Sequence, residues 1–345
     1  MRRTSRVTLT AMTTSPESSV GLHDAITTAA LRDVHPRLRD WYDEPTLATN
    51  MRAHLAEGAE WVGDEEFGAA YRDGVAVIDV PDAVDWANRL LTLPCGGWAV
   101  TGIRFRGRDL TKPFVEIAAH DVGDASSGDH WHAMADEIAR AYAPFAPGRL
   151  QVFTSSPDSA RVSLEAFGFQ TEVDTYLVAG LIRELRERPR STRFDDVTLA
   201  PISASAASRL AERVHDDLAE QNPETRLWST PQTLEEFDEH AAAGTLFGIH
   251  LAGRLVGIIA AFRWNAHGMT GFTVAENVID APHRGQKLAP AAMQHLFEML
   301  PAADGDVLWG TIHPDNTPSL HNALRVGREI VGAHLWLTPA GWPGW

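Results

Sequence analysis

Residues 269–300 read MTGFTVAENVIDAPHRGQKLAPAAMQHLFEML, and the order of parts in this stretch decides the fold. MTGFTVAENVI is a strand-like run of β-branched and aromatic residues. KLAPAAMQHLFEML repeats apolar residues at helical spacing, with Leu288, Ala292, His295, Leu296 and Met299 along one side. Between them lies a short loop. A strand that ends in a loop and opens a helix presents unpaired backbone N–H groups at the positive end of the helix dipole, an arrangement that binds pyrophosphate. Gly285 lets the backbone approach closely, Arg284 adds a charge-assisted contact, and small Ala289 leaves room in the first helical turn. Arg-Gly turns also precede plain capped helices, so the loop by itself leaves both readings open.

Working outward from the loop, the second half of the chain resolves into alternating elements. VTLAPI is a short strand, SASAASRLAERVHDDLAEQ an amphipathic helix, and TPQTLEEFDEHAAAG a helix with threonine before an acidic first turn. TLFGIHLAG and RLVGIIAAFRW form a hairpin about Ala252–Gly253. After the loop and its helix come strand DVLWGTI, helix TPSLHNALRVG and strand EIVGAHLWL, giving the order β-α-α-β-β-β-α-β-α-β. The tail of the first half repeats that ending: PFVEIAAHDV, DHWHAMADEIARAY, RLQVFTSS, PDSARVSLEAFGF and TEVDTYLVAGL read as strand, helix, strand, helix, strand. The charged stretch LIRELRERPRSTRFDDV, residues 181–197, separates the halves. Approximate duplication of one α/β unit accounts for 345 residues better than two unrelated domains.

The formal charge of −16 argues against nucleic acid, whose phosphates reward clustered cations, and permits a cationic small molecule by electrostatic steering. No apolar run is long enough for a membrane helix, and the opening MRRTSRVTLTAMTTSPESSV lacks the apolar block of a secretory signal. The single Cys95 cannot form an internal disulfide, and no Cys/His spacing resembles a metal site. A soluble cytoplasmic protein without metal, membrane or nucleic-acid partner is expected.

The strand order, with Arg284-Gly285-Gln286-Lys287-Leu288-Ala289 after the fourth strand, resembles the GNAT superfamily of acyl-CoA-dependent N-acyltransferases. That family's loop reads Gln/Arg-x-x-Gly-x-Gly/Ala, and here Lys287 replaces the central glycine. A lysine serves there if its backbone is helical and its N–H is free. Asn316 and TPSLHNALRVG resemble the segment beside the pantetheine arm, which brings in Ser319, although the usual Gly-Phe ending is Gly327-Arg328 here. The first half does carry Gly168-Phe169. The resemblance covers roughly 192–338 closely and 75–182 loosely, and the layout is similar to two-domain actinobacterial members. It implies an α/β fold of two tandem units, each a mixed, mostly antiparallel twisted sheet flanked by helices. The expected divisions are a tail at 1–22, a degenerate unit at 23–188 and an acetyltransferase unit at 189–345.

The resemblance implies acetyl-CoA held by Arg284 through Ala289, by Asn316 and Ser319, and by the backbone N–H groups of Val278 and Ile279. The first half has no such loop. Its corresponding GDASSGDHWH places Asp124 and Asp129 where phosphate would sit, and like charges repel. One cofactor site is therefore expected, with the first half as scaffold or acceptor wall.

For chemistry, the resemblance makes Glu276 the general base, the alternative being a carboxylate paired with an arginine; strand parity puts it on the side of Val278 and Asp280. Asp280 is read as fixing the loop. The family's proton-donating tyrosine position is Ala323, and all four tyrosines lie in the first half, which leaves His321 and His313 as replacements. Acidic residues of the first two helices, Asp216, Asp217, Glu220, Glu235, Glu236, Asp238 and Glu239, either attract an ammonium or form a solvated face, with Trp228 and Trp264 as aromatic walls or core. The expected activity is acetyl transfer to the primary amine of a small cationic acceptor by direct attack in a ternary complex. The alternatives are a catalytically silent acyl-CoA-binding or interaction module and, third, transfer to oxygen or sulfur. A monomer suffices and a homodimer is allowed.

Overall fold

The computed structural model describes residues 19–75, 78–94, 96–122 and 127–345. Residues 1–18, Cys95 and Asp124 lie outside these, while residues 19–22, counted with the tail from sequence, begin the first helix.

The described residues open with four helices: α1 (Ser19–Arg32), α2 (Pro36–Trp41), α3 (Glu44–Glu60) and α4 (Glu65–Asp73). Asp43 caps α3 by accepting the Thr46 N–H at 2.8 Å, with Pro45 in the first turn, where a missing N–H costs nothing. Next are β1 (Arg89–Thr92), β2 (Trp98–Phe105), β3 (Pro113–Asp121), α5 (Gly128–Ala141), β4 (Arg149–Thr154), α6 (Pro157–Ala166) and β5 (Gln170–Leu181). The connecting stretch folds as α7 (Ile182–Arg186).

The second unit follows the order read from its sequence. It comprises β6 (Val197–Pro201), α8 (Ala204–Gln221), α9 (Leu234–Ala242), β7 (Leu246–Leu251), β8 (Arg254–Arg263), β9 (Gly271–Ile279), α10 (Leu288–Met299), β10 (Val307–Ile312), α11 (Thr317–Arg325) and β11 (Glu329–Thr338). Thr233 and Glu236 close a capping box at the start of α9. The β7–β8 hairpin turns on Ala252 at φ 49° and Gly253 at φ 77°, two left-handed residues whose twist suits a tight antiparallel link.

All strands join one mixed sheet in the order β1-β2-β3-β4-β11-β5-β10-β9-β8-β7-β6. Among the described residues only β3–β4 and β9–β10 are parallel pairs. The order reveals an exchange. The last strand of the first half, β5, pairs with β10 of the second. The last strand of the second half, β11, lies between β4 and β5, antiparallel to both. Each unit's sheet is therefore completed by a strand from the other half.

The cores follow this exchange. The first unit buries Trp86, Met134, Ile138 and Leu150 together with Leu335 and Leu337 of β11. The second buries Phe247, Ile259, Met293 and Phe297 with Ile182 and Leu185 of α7. A third cluster joins Trp41, Leu47 and Met51 of the opening helices to Leu177, Val307 and Met269. Each large apolar side chain so buried contributes about 1.5–3 kcal/mol, so the halves are fastened by shared core rather than by a linker.

Candidate active site

The loop after β9 is built from local contacts. Asp280 begins a single helical turn, and its Oδ1 lies 2.5 Å from His283 Nδ1, the loop-fixing role expected of it. Arg284 donates from Nε to the Ile279 carbonyl at 3.0 Å and from Nη2 to the Val214 carbonyl of α8 at 3.3 Å. Two of its donors thus tie the loop to β9 and α8. Gln286 donates from Nε2 to the Pro282 carbonyl at 3.1 Å. Gly285 has φ +75°, a conformation that suits glycine.

Lys287 corrects the sequence expectation of a helical backbone: it is the N-cap of α10 in the left-handed region, at φ 61° and ψ 29°. The chain must reverse there to enter the helix, which explains why glycine suits the position and why lysine bears about 1–2 kcal/mol of strain. No side chain caps α10. Among the described residues, no protein acceptor meets the N–H groups of Gly285 through Ala289, and Pro290 has none to offer. The first turn of α10 therefore exposes donors and the positive dipole end.

The corresponding helix of the first unit differs. A Cβ on Gly128, at the start of α5, would lie 2.8 Å from the Phe167 ring. His132 Nε2 contacts the Phe167 carbonyl at 2.9 Å, and exposed Asp129 stands in the first turn. Among the described residues, an aromatic ring thus lies against the start of α5 and a carboxylate stands in its first turn, where α10 has neither.

Glu276 lies on β9 beyond a bulge between Ala260 and Ala261 of the partner ladder. Its side chain is 7% exposed and meets His215 of α8, 9% exposed, with Nε2 at 3.3 and 3.4 Å from the two carboxylate oxygens. Ser229 Oγ approaches His215 Nδ1 at 3.5 Å. Glu276 is thus paired with histidine rather than arginine, on the face that packs against α8 with Val278. His215 was not singled out from sequence. Its signal was an imidazole beside the apolar stripe of Ala207, Ala211, Val214 and Leu218.

β9 and β10 pair only from Gly271 to Thr273 against Val307 to Trp309, and then diverge. Asp280 donates its N–H to the Val256 carbonyl at 2.9 Å, in register with Gly257–Ile279 and Ile258–Val278. Bonded and non-bonded pairs alternate along such a ladder. Val278 therefore turns its N–H into β8, while Asn277 and Ile279 turn theirs into the gap. Of the two donors named from sequence only Ile279 faces the divergence, and Asn277 joins it.

Across the gap, His313 follows β10 and stacks on Trp228 at 5.2 Å between centroids and 3° between planes. Burial lowers its imidazole below the ordinary histidine value, against the opposing charge of Asp315. Asn316 caps α11, its Oδ1 accepting the Ser319 N–H at 3.3 Å. His321 is exposed on α11, and its side chain has no hydrogen bond among the described residues.

Ala323 is fully buried with Val178 and Ile312, and Tyr176 of β5 packs against that cluster. Tyr176 is paired with Ile312 in the sheet. All four tyrosines do lie in the first half of the sequence, but the strand exchange brings Tyr176 beside β10 and the Ala323 cluster of the second. The pairing of strands distant in sequence left no local signal for it.

The acidic face divides. Asp216 pairs with Arg226 at 2.9 Å, and Glu236 caps α9. Glu235, Asp238 and Glu239 are exposed, and so is Trp264, whose carbonyl accepts the Trp309 indole N–H at 3.0 Å.

Residues 211–327 match the model of the acetyltransferase (GNAT) family. None of the curated proteins compared with the chain matches it. Among solved structures, the chain is similar to a GCN5-related N-acetyltransferase from Sphaerobacter thermophilus, with 15% identity, 84% of this chain and 95% of that one covered, and a TM-score of 0.48. It is also similar to a GNAT-family acetyltransferase from Colwellia psychrerythraea, with 12% identity, coverage of 79% and 96%, and a TM-score of 0.47. A conserved protein of unknown function from Bacteroides thetaiotaomicron shares 11% identity, with coverage of 94% and 98% and a TM-score of 0.43.

Proposed function

Because the chain carries an acetyltransferase (GNAT) family domain over residues 211–327, a domain of acyl transfer, we propose that its second unit moves an acetyl group from acetyl-CoA to the primary amine of a small cationic molecule, by direct attack in a ternary complex. One observation carries this reading: a dozen residues of one strand and loop hold both Glu276, paired with the buried imidazole of His215 on α8, and a helix start with unclaimed N–H donors. The residues fit the donor. The free N–H groups of Gly285 through Ala289 and the dipole of α10 suit a pyrophosphate, with the Lys287 ammonium available to a further phosphate. Bound acetyl-CoA supplies the thioester carbonyl.

Glu276 receives the proton that the amine must lose, and His215 holds the carboxylate in place. The N–H groups of Asn277 and Ile279, already aimed into the gap, stabilise negative charge on the carbonyl oxygen, at about 2.7–4 kcal/mol for a well-placed donor. As the new C–N bond forms and the C–S bond breaks, the thiolate takes a proton from the Tyr176 phenol. The net charge of −16 favours approach of a cationic acceptor.

A second reading, a module that binds acyl-CoA without turnover, is favoured by the near-complete enclosure of both Glu276 and His215. Calorimetry with acetyl-CoA, followed by thiol release across an amine panel, decides between them. Micromolar binding with turnover supports transfer, binding without turnover supports the module, and absence of binding removes both.

A further inference from the structure

The first unit retains its own divergence. β3 and β4 pair from Phe114–Arg149 to Ile117–Val152 and then part, and a cavity of about 730 Å³ fills the space beyond. Pockets of 300–1,000 Å³ hold small organic ligands. Helices α1 and α3 wall one side and α6 the other, with Trp61, Trp131 and Phe153 among the apolar lining.

Three imidazoles meet at one wall: His54 of α3, His334 of β11, and His267 of the β8–β9 connection. Ring centroids lie 4.5 Å apart for His54–His267 and 5.4 Å for His267–His334. His267 is held there at φ 50°. None of the three has a hydrogen-bond partner among the described residues, and buried His120 Nδ1 has none either. Burial lowers His54 to about 4 and holds His267 and His334 below the ordinary value, so all three are neutral at pH 7 and offer lone pairs.

Charge selects the ligand. The lining has four carboxylates (Asp33, Glu57, Glu116, Asp121) against two guanidiniums (Arg32, Arg104). Glu116 meets the Arg104 Nε through one oxygen at 3.0 Å, and its side chain keeps 34% exposure. Among the described residues, the start of α5 offers no anchor for a nucleotide tail, since Phe167 covers it.

We propose that this cavity binds a small protonated amine with an apolar body: the Glu116 carboxylate is the counter-ion, the imidazoles accept hydrogen bonds, and the apolar lining receives the body. The site goes beyond acyl transfer and uses none of the residues assigned to it.

The test is calorimetry on the full chain at pH 7.5 with three probes of one shape: phenethylamine, 2-phenylethanol and phenylacetate. Phenethylamine is expected to bind at least tenfold more tightly than the other two. That affinity is expected to drop at least tenfold in Glu116→Gln, to vanish in Ala118→Phe, which builds a ring into the cavity, and to be unchanged in Glu276→Gln. The last comparison separates this site from an acceptor site in the second unit. Thermal melting identifies variants that fold. Equal or tighter binding of the alcohol or the acid, absence of amine binding to the folded chain, or amine binding that survives Ala118→Phe in a folded variant would overturn the proposal.

Discussion

His215 and Glu276 come from a helix and a strand 61 residues apart, and the imidazole Nε2 stands 3.3 Å from the carboxylate with almost no solvent between the two layers. In the proposed reaction, Glu276→Gln lowers kcat by about 10²–10⁴-fold while acetyl-CoA affinity is retained. His215→Asn gives a smaller loss of kcat, because the carboxylate loses the partner that positions it. Stopped assays across pH with parallel calorimetry check both, and wild-type turnover in Glu276→Gln removes the base assignment.

In the proposed reaction, Tyr176 supplies the second arm of proton transfer. Tyr176→Phe keeps the ring that packs against Val178, Ile312 and Ala323 and deletes only the hydroxyl. We expect kcat to fall by about 10²-fold with an unchanged KM for acetyl-CoA and an unchanged melting temperature. A rate equal to that of the parent would leave solvent as the proton source.

Lys287→Gly relieves a left-handed side-chain-bearing residue, so the folded state gains about 1 kcal/mol and acetyl-CoA affinity stays or falls modestly. Gly285→Glu puts a negative charge and a strained Cβ at φ +75° into the same loop, and is expected to abolish binding. Chemical denaturation and calorimetry on the two variants report the two effects separately. Binding by folded Gly285→Glu would show that the loop is no phosphate cradle.

The histidine cluster makes stability depend on pH. In the folded chain burial holds His54 at about 4 and lowers His267 and His334 as well, whereas the unfolded value is 6.5. The unfolded state therefore binds more protons below 6.5. Stability is full above that pH and declines as pH falls toward 4, by up to about 1.4 kcal/mol per pH unit for each histidine. Urea midpoints at pH 7.5 and 5 test this, and His54→Phe should flatten the difference.

Exchange of terminal strands predicts that damage crosses between halves. Leu335 is buried in the first unit's core although it lies in β11. Leu335→Ala is expected to cost about 2–5 kcal/mol and to raise hydrogen exchange in β4 and α5 before β7 and β8. Uniform deprotection limited to the second unit would contradict the shared core.

The second unit was legible because short apolar runs, turn residues and caps alternate at regular intervals, and each is decided by nearby sequence. β5 and β11 were legible as strands but not as exchanged ones, because VAGL and HLWL are apolar on both sides and fit any neighbour. The helices α1 to α4 were not read, since α3 buries only Leu47, Met51 and Ala59 along seventeen residues and shows little periodicity. At the site, the loop and Glu276 were visible as residue types in order. His215, Tyr176 and the direction of the Val278 N–H depend on which strands and helices meet.

Synthesis runs from the N-terminus, and β11 leaves the ribosome after the other ten strands of the sheet. β4 ends at Thr154 and its partner begins at Glu329, so the edge of β4 waits about 10–35 s at ordinary elongation rates. During that interval the first-formed sheet presents an open strand edge, the feature most prone to pair with another chain. The half made first thus waits on the half made second, and slow translation lengthens that exposure.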